Sequence, residues 1–276
     1  MIMLTVKRVM VAAVLGGVFG ATSANAQALD DKFWIEGSAY FPKVDTDIRV
    51  SSLTDNTVGT EIDLESDLGL DNDSTLPAVF AGVRLGSNFS IGAEYYSLGR
   101  DGTVNLARDI VFDDVTYPAT ASITSKFNTD VYRLTLGYAF VREDNFEIGA
   151  ALGLHATDFE IQIEGIGNVG GATGQFESRR RSALAPLPTV GLFGAYEIMP
   201  KLTLTGRIDY LSLSIDDYDG RLINTQAALT YRVFKNVGIG AMYRYVDYRL
   251  DVEKPEWEGR IAYEFKGPAI FLQVGF

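Results

Sequence analysis

Apolar residues recur at every second position through much of this chain, the spacing that puts one set of side chains on each face of a β-strand. In the first such segment Phe33, Ile35, Ala39 and Phe41 alternate with Trp34, Glu36, Ser38 and Tyr40. Val79, Ala81, Val83 and Leu85 oppose Phe80, Gly82 and Arg84, and Phe89, Ile91, Ala93 and Tyr95 oppose Ser90, Gly92 and Glu94. Tyr132, Leu134, Leu136 and Tyr138 oppose Arg133, Thr135 and Gly137, and Phe146, Ile148, Ala150, Leu152 and Leu154 face away from Glu147 and His155. Five further segments, at 189–198, 202–210, 227–233, 237–245 and 270–276, hold Glu197, Arg207, Asp209, Arg232 and Arg244 on their polar faces.

The connections alternate in length. Tight links fall at 86–88, 142–145, 199–201 and 234–236, and long ones near 45–73, 101–120, 164–183, 214–220 and 252–258. Four short turns and five long loops predict an all-β fold: a closed antiparallel up-and-down transmembrane β-barrel of about ten strands, with both ends on the short-turn side. Eight strands follow if the pair around 185–215 stays out of the membrane, and twelve if the two longest loops conceal hairpins. Closure is a physical requirement, because lipid offers no partner to the free backbone edge of an open sheet. Outward aromatics gather near strand ends, as membrane girdles do: Phe33, Phe89, Phe140, Phe146 and Phe276 at one level, Tyr95, Tyr132, Tyr210 and Tyr245 at the other.

The N-terminal stretch has a different character. Lys7 and Arg8 precede an apolar run, and Ala24-Asn25-Ala26 presents small residues at a cleavage spacing. Residues 1–26 therefore read as a secretory signal peptide, leaving 27–276 as one barrel domain. Without Lys7 and Arg8 the 24 basic residues become 22 against 36 acidic ones, a net charge of −14. That balance argues against nucleic acid as a partner. The chain has no cysteine, which removes disulfides, thiol chemistry and thiolate metal sites.

The segment Ala269-Ile270-Phe271-Leu272-Gln273-Val274-Gly275-Phe276 resembles the terminal strand of bacterial outer-membrane proteins. The resemblance implies an outer-membrane destination and Phe276 as an assembly signal read by the barrel-assembly machinery. Ile62-Asp63-Leu64-Glu65-Ser66-Asp67-Leu68-Gly69-Leu70 is similar to a segment of poorly characterised proteobacterial barrel proteins, a group that implies membership and no activity.

Candidate chemistry is sparse. The polar faces carry Glu36, Arg84, Glu94, Arg133, Glu147, Glu197, Arg207, Asp209, Arg232 and Arg244, five acids and five bases that would pair across a narrow lumen. His155, the single histidine, has no adjacent nucleophile. Omptin-type proteases use an Asp-His pair with an Asp pair; Asp216-Asp217 supplies adjacent aspartates, but Thr157 and Asp158 do not complete the pattern with His155. Phospholipase and lipid A deacylase barrels set a serine near a lipid-side histidine, which is not found here either. Asp67, Asp71 and Asp73 in the acidic first loop could converge on a cation, but a solvated face explains them as well. Asp217-Tyr218-Asp219-Gly220 reads as a turn. Arg179, Arg180 and Arg181 could grip lipopolysaccharide phosphates or lie in a loop folded into the mouth, and a flexible solvated loop explains them as well.

No catalytic, cofactor or metal set emerges. The expected function is structural or interactive, through extracellular loops above a largely plugged, salt-bridged lumen, with outer-membrane lipid and lipopolysaccharide as partners. The alternatives are a narrow channel for small solutes and an enzyme centred on His155. Oligomeric state is left open.

Overall fold

The computed structural model describes residues 31–169, 172–215 and 217–276; the expected signal segment lies outside them. The described residues form β1 (Phe33–Tyr40), β2 (Lys43–Ser52), β3 (Ile62–Asp63), β4 (Leu76–Leu85), β5 (Phe89–Asn105), β6 (Ile110–Phe112), β7 (Val115–Tyr117), β8 (Ser122–Glu143), β9 (Phe146–Val169), β10 (Ala172–Met199), β11 (Leu202–Ile215), β12 (Tyr218–Phe234), β13 (Val237–Glu253) and β14 (Trp257–Gly275). Ten of them make a ring in the order β1-β4-β5-β8-β9-β10-β11-β12-β13-β14, and β14 pairs back to β1. Every neighbouring pair is antiparallel. The seam joins the ends of the chain: the amides of Lys32 and Phe33 donate to the Phe276 carbonyl at 2.6 and 3.0 Å.

The alternation places the side chains as its period requires, and β8 shows one further feature. Its even positions face outward from Ser122 to Phe140, where a bulge ends the alternation. Lys126, Asn128 and Asp130 occupy them in the upper part, and Tyr132, Leu134, Leu136, Tyr138 and Phe140 below. The inward set inverts at the same level, from Ile123, Phe127 and Val131 above to Arg133 and Thr135 below. β13 inverts likewise, with Ile239, Ala241 and Tyr243 outward below and Arg249 and Glu253 outward above Tyr248, Leu250 and Val252, which point in. The outward apolar stretch of β8 spans nine positions. At a barrel's tilt that gives a band about 20–25 Å tall, the height of a hydrocarbon core. Leu152, Val190 and Ile270, each more than half exposed, belong to this band. An exposed apolar belt this continuous suits lipid rather than water.

Three of the expected long loops are strand. Residues 164–169 and 172–183 belong to β9 and β10, and the described residues of 214–220 and 252–258 lie mostly in strands that climb beyond the band. Asp219-Gly220 is accordingly strand, where a turn was expected. The upper barrel stands about ten residues, roughly 33 Å of strand, above the outward aromatics of β8.

The other two connections do contain hidden strands, and these close the mouth. After Phe41-Pro42 the chain continues upward as β2, which pairs with the upper part of β14. It then descends through β3 and the segment 64–72, where Ile62, Leu64, Leu68 and Leu70 are almost fully buried. The alternating acids hold this descent in place. Thr46 donates its amide to Glu65 at 2.9 Å, and Glu65 also pairs with the buried Arg100 of β5. Arg100 reaches the Thr46 hydroxyl at 2.6 Å and the Asp71 carbonyl at 3.2 Å, and Asp67 pairs with Arg108 at 2.6 Å. Gly102 permits the contact, since a β-carbon there would lie 2.8 Å from the Leu68 and Gly69 carbonyl oxygens. The motif at 62–70 is thus a gasket, with leucines in the core and carboxylates on arginines.

Candidate functional site

The interior is filled at two levels. The lower is charged. Glu94 of β5 receives Arg244 on both carboxylate oxygens, at 2.7 and 3.3 Å, and Arg133 on one of them at 3.1 Å. Arg133 also pairs with Asp209, which Arg207 clasps through Nε and Nη2 at 2.8 Å each. Arg244 Nε donates to Asn224 at 3.1 Å, and its guanidinium lies 5.1 Å from the Tyr96 ring. The network crosses from β5 to β13 and from β8 to β11, so it spans the lumen. An unpaired charge in such a place costs several kcal/mol, which explains why each guanidinium finds a carboxylate.

Nearer the short turns, Arg84 pairs with Glu147 at 2.9 Å, and Arg232 with Asp31. The ten charged residues read from the sequence therefore all point inward, and eight of them take part in ion pairs. Glu36 and Glu197 form none among the described residues. Asp31, lying before the first segment, is a partner the alternation could not reveal.

Above the charged layer the lumen is apolar, which departs from the expected polar interior. Tyr40, Tyr96, Phe127, Phe159, Tyr248, Tyr263 and Phe265 pack edge to face and tilted, with centroids 5.1–6.2 Å apart. Phe127 and Phe159 are essentially solvent-free, and burial of each side chain contributes about 1.5–3 kcal/mol. The reason is the inversion of face polarity. Beyond the lipid band the wall has water outside, so its apolar set turns inward as in any soluble protein.

The β6–β7 hairpin lies over this storey. Ile110, Phe112, Val115 and Tyr117 are fully buried, and Tyr117 donates to the Ile163 carbonyl at 3.1 Å. One edge meets β2 and the chain after it, where Asp113 donates its amide to Val50 at 3.1 Å and Thr60 donates to Val111 at 2.9 Å. The turn meets β10 through Arg181–Asp113 and Arg179–Asp114. The hydrogen-bonded Arg179 guanidinium holds the Asp114 carboxyl below the usual carboxylate range, whereas burial pushes Asp113 up against the opposing pull of Arg181.

Of the three arginines read as phosphate contacts, Arg179 and Arg181 thus face this hairpin. Arg180 faces out and pairs with Glu160. His155 is buried on the inward face opposite Arg133, while Asp217 stands exposed at the rim on Lys254; the two are not brought together. Phe276 is two-thirds exposed at the short-turn end.

No protein-family model matches the chain, and no curated protein matches it. Among solved structures, the outer membrane protease OmpT from Escherichia coli superposes with a TM-score of 0.60 at 14% identity, over 90% of this chain and 98% of that one. The transport unit of the autotransporter AIDA-I from Escherichia coli aligns at 0.41 and 8% identity, over 93% of each chain. The Pseudomonas putida toluene transporter TodX aligns at 0.37 and 9% identity, over 90% of each. At these identities the likeness concerns fold, and the first superposition carries it. In fold, this chain is a ten-stranded antiparallel β-barrel of the bacterial outer-membrane type.

Proposed function

We propose that this protein is a closed outer-membrane barrel that works through its extracellular tower rather than by passing solutes or by catalysis. The observation that carries the reading is the doubly filled lumen: a charge layer crosses it, and an aromatic storey with a hairpin lid lies above. A barrel of about this strand number has an interior that side chains just fill. The β8–β10 walls, polar on their outer face, are the surface offered to partners.

Lipopolysaccharide is the proposed lipid partner. Arg180 lies four residues above Leu184, the top of the outward apolar run that β10 continues through Pro186, Pro188 and Val190, about 13 Å along the strand. That level suits phosphate groups at the membrane surface, and an arginine fork matches phosphate oxygens. His155 supports no enzymatic reading, since a substrate would have to cross the charged layer or the aromatic storey to meet it.

Reconstitution into planar bilayers tests the proposal. The expected trace is silent, and liposomes loaded with the protein do not swell in small sugars or amino acids. Steady ionic conductance would overturn it.

A further inference from the structure

Below the Glu94 layer a cavity of about 220 Å³ occupies the short-turn half of the barrel, bounded by Arg207 and Thr135 on the side of that layer and by Arg84 and Glu147 toward the short turns. Its volume equals about seven waters and lies below the range of drug-sized pockets, which makes it the size of one small ring.

Three aromatic residues line it: Trp34, Phe80 and Phe193. Each is seated against a glycine of the adjoining strand. A β-carbon on Gly82 would strike the Trp34 ring, one on Gly92 the Phe80 ring, and one on Gly149 the Phe193 ring. Glycine at these positions lets each ring lie flat along the wall, which turns its other face to the cavity. The neutral polar lining is unspent. Thr203, Thr205, Gln226, Thr230 and Gln273 make no side-chain hydrogen bond within the described residues, although Thr203 and Thr230 are nearly buried. The charges at the margins are already engaged in ion pairs: Glu147 with Arg84 and Arg142, Asp209 with Arg207 and Arg133, and Asp31 with Arg232.

We propose that this cavity is a blind binding pocket for one uncharged sugar ring, entered from the periplasmic end. Flat aromatic faces receive the C–H face of a pyranose, and hydroxyl and amide groups with no internal partner receive its hydroxyls. An ionic ligand would have to displace these existing ion pairs, whereas a neutral one leaves them intact. The closed roof makes the site one that holds rather than transmits, and in that respect the inference rests on the sealed-lumen reading.

The test uses the full mature chain in detergent micelles with Trp257→Phe, so that Trp34 is the remaining emitter. Titration with glucose and with N-acetylglucosamine is expected to shift the Trp34 emission saturably. Thr205→Val, which keeps shape and deletes a hydroxyl, weakens binding roughly five-fold, about the contribution of one neutral hydrogen bond. Phe193→Leu weakens it at least as much, and retained gel mobility of the folded form certifies either variant. Glucuronate and inorganic phosphate leave the emission unchanged. Affinity weaker than about 10 mM for both neutral sugars, or equal binding of glucuronate, overturns the proposal. Sugar entry into liposomes would instead overturn the sealed lumen and leave binding to be read from the titration.

Discussion

Removing Glu94 is the sharpest perturbation of the seal. Its carboxylate is the shared acceptor of Arg133 and Arg244, whose side chains are only 5% and 4% exposed. Glu94→Ala leaves two buried guanidiniums facing each other across the lumen. Breaking a buried pair by deleting one partner costs about 3–5 kcal/mol. Two pairs break here, but the loss stays near that range because neither arginine is stripped bare. Arg133 keeps Asp209, and Arg244 keeps Asn224 and the face of Tyr96. Glu94→Gln retains the shape and one acceptor, so the loss falls to about 1.5–3 kcal/mol, the value of a hydrogen bond to a charged group. Adding Arg244→Met to Glu94→Ala removes one orphaned charge, and the double variant is expected to be more stable than Glu94→Ala alone. Urea unfolding in phospholipid vesicles, followed by tryptophan emission and by the mobility of unheated samples on gels, measures all four proteins. A loss below about 1 kcal/mol for Glu94→Ala would mean the pair is as weak as an exposed one and the layer is wet. The sealed-lumen argument would then fail.

Other outcomes follow from the same geometry. The lid responds to pH through Asp114 and Asp113 with opposite signs. Asp114 has a lowered pKa, so its stabilisation is present above the unfolded value near ~4 and is lost as pH falls through the folded one; Asp113 has a raised pKa, so its contribution is present in acid and is lost as pH rises. Hydrogen exchange of the hairpin should therefore speed up at neutral pH in Asp114→Asn and not in Asp113→Asn; equal effects would refute the assignment. Replacing 107–120 by a short linker opens the mouth but should leave bilayers silent, because the Glu94 layer remains; conductance in this variant would place the whole seal in the lid. Gly102→Val drives a side chain into the Leu68–Gly69 carbonyls and should cost about 1–3 kcal/mol, with protease cleavage appearing within 53–75. Phe127→Ala should lose about 3–5 kcal/mol in the same urea assay, and a loss under about 1 would contradict the packed aromatic storey.

Much of the wall was legible from residue order. Alternation is a local property with a period of two, so the outward Tyr132-to-Phe140 set and the inward Arg133, Glu147 and Arg244 could be assigned without any knowledge of neighbours. The short turns were equally plain, because a hairpin needs only its own few residues. The storey built on Phe127, Phe159 and Tyr248 was written in the same alternation, but period alone does not say which face is inside. Its sense inverts where the wall leaves the lipid band, and that level is a property of the assembled cylinder.

The sequence by itself determined the ten strands of the lipid band, which residues share a face and the charged set of the lower lumen, because each depends on spacing along one segment. Only the tertiary structure decided that Arg133 joins Glu94 to Asp209, that Arg100 seats on Glu65, and that Arg179 and Arg181 hold the 113–114 turn. These partners lie 35 to 76 positions apart. Their meeting is set by strand order and stagger around the ring, which no local pattern encodes.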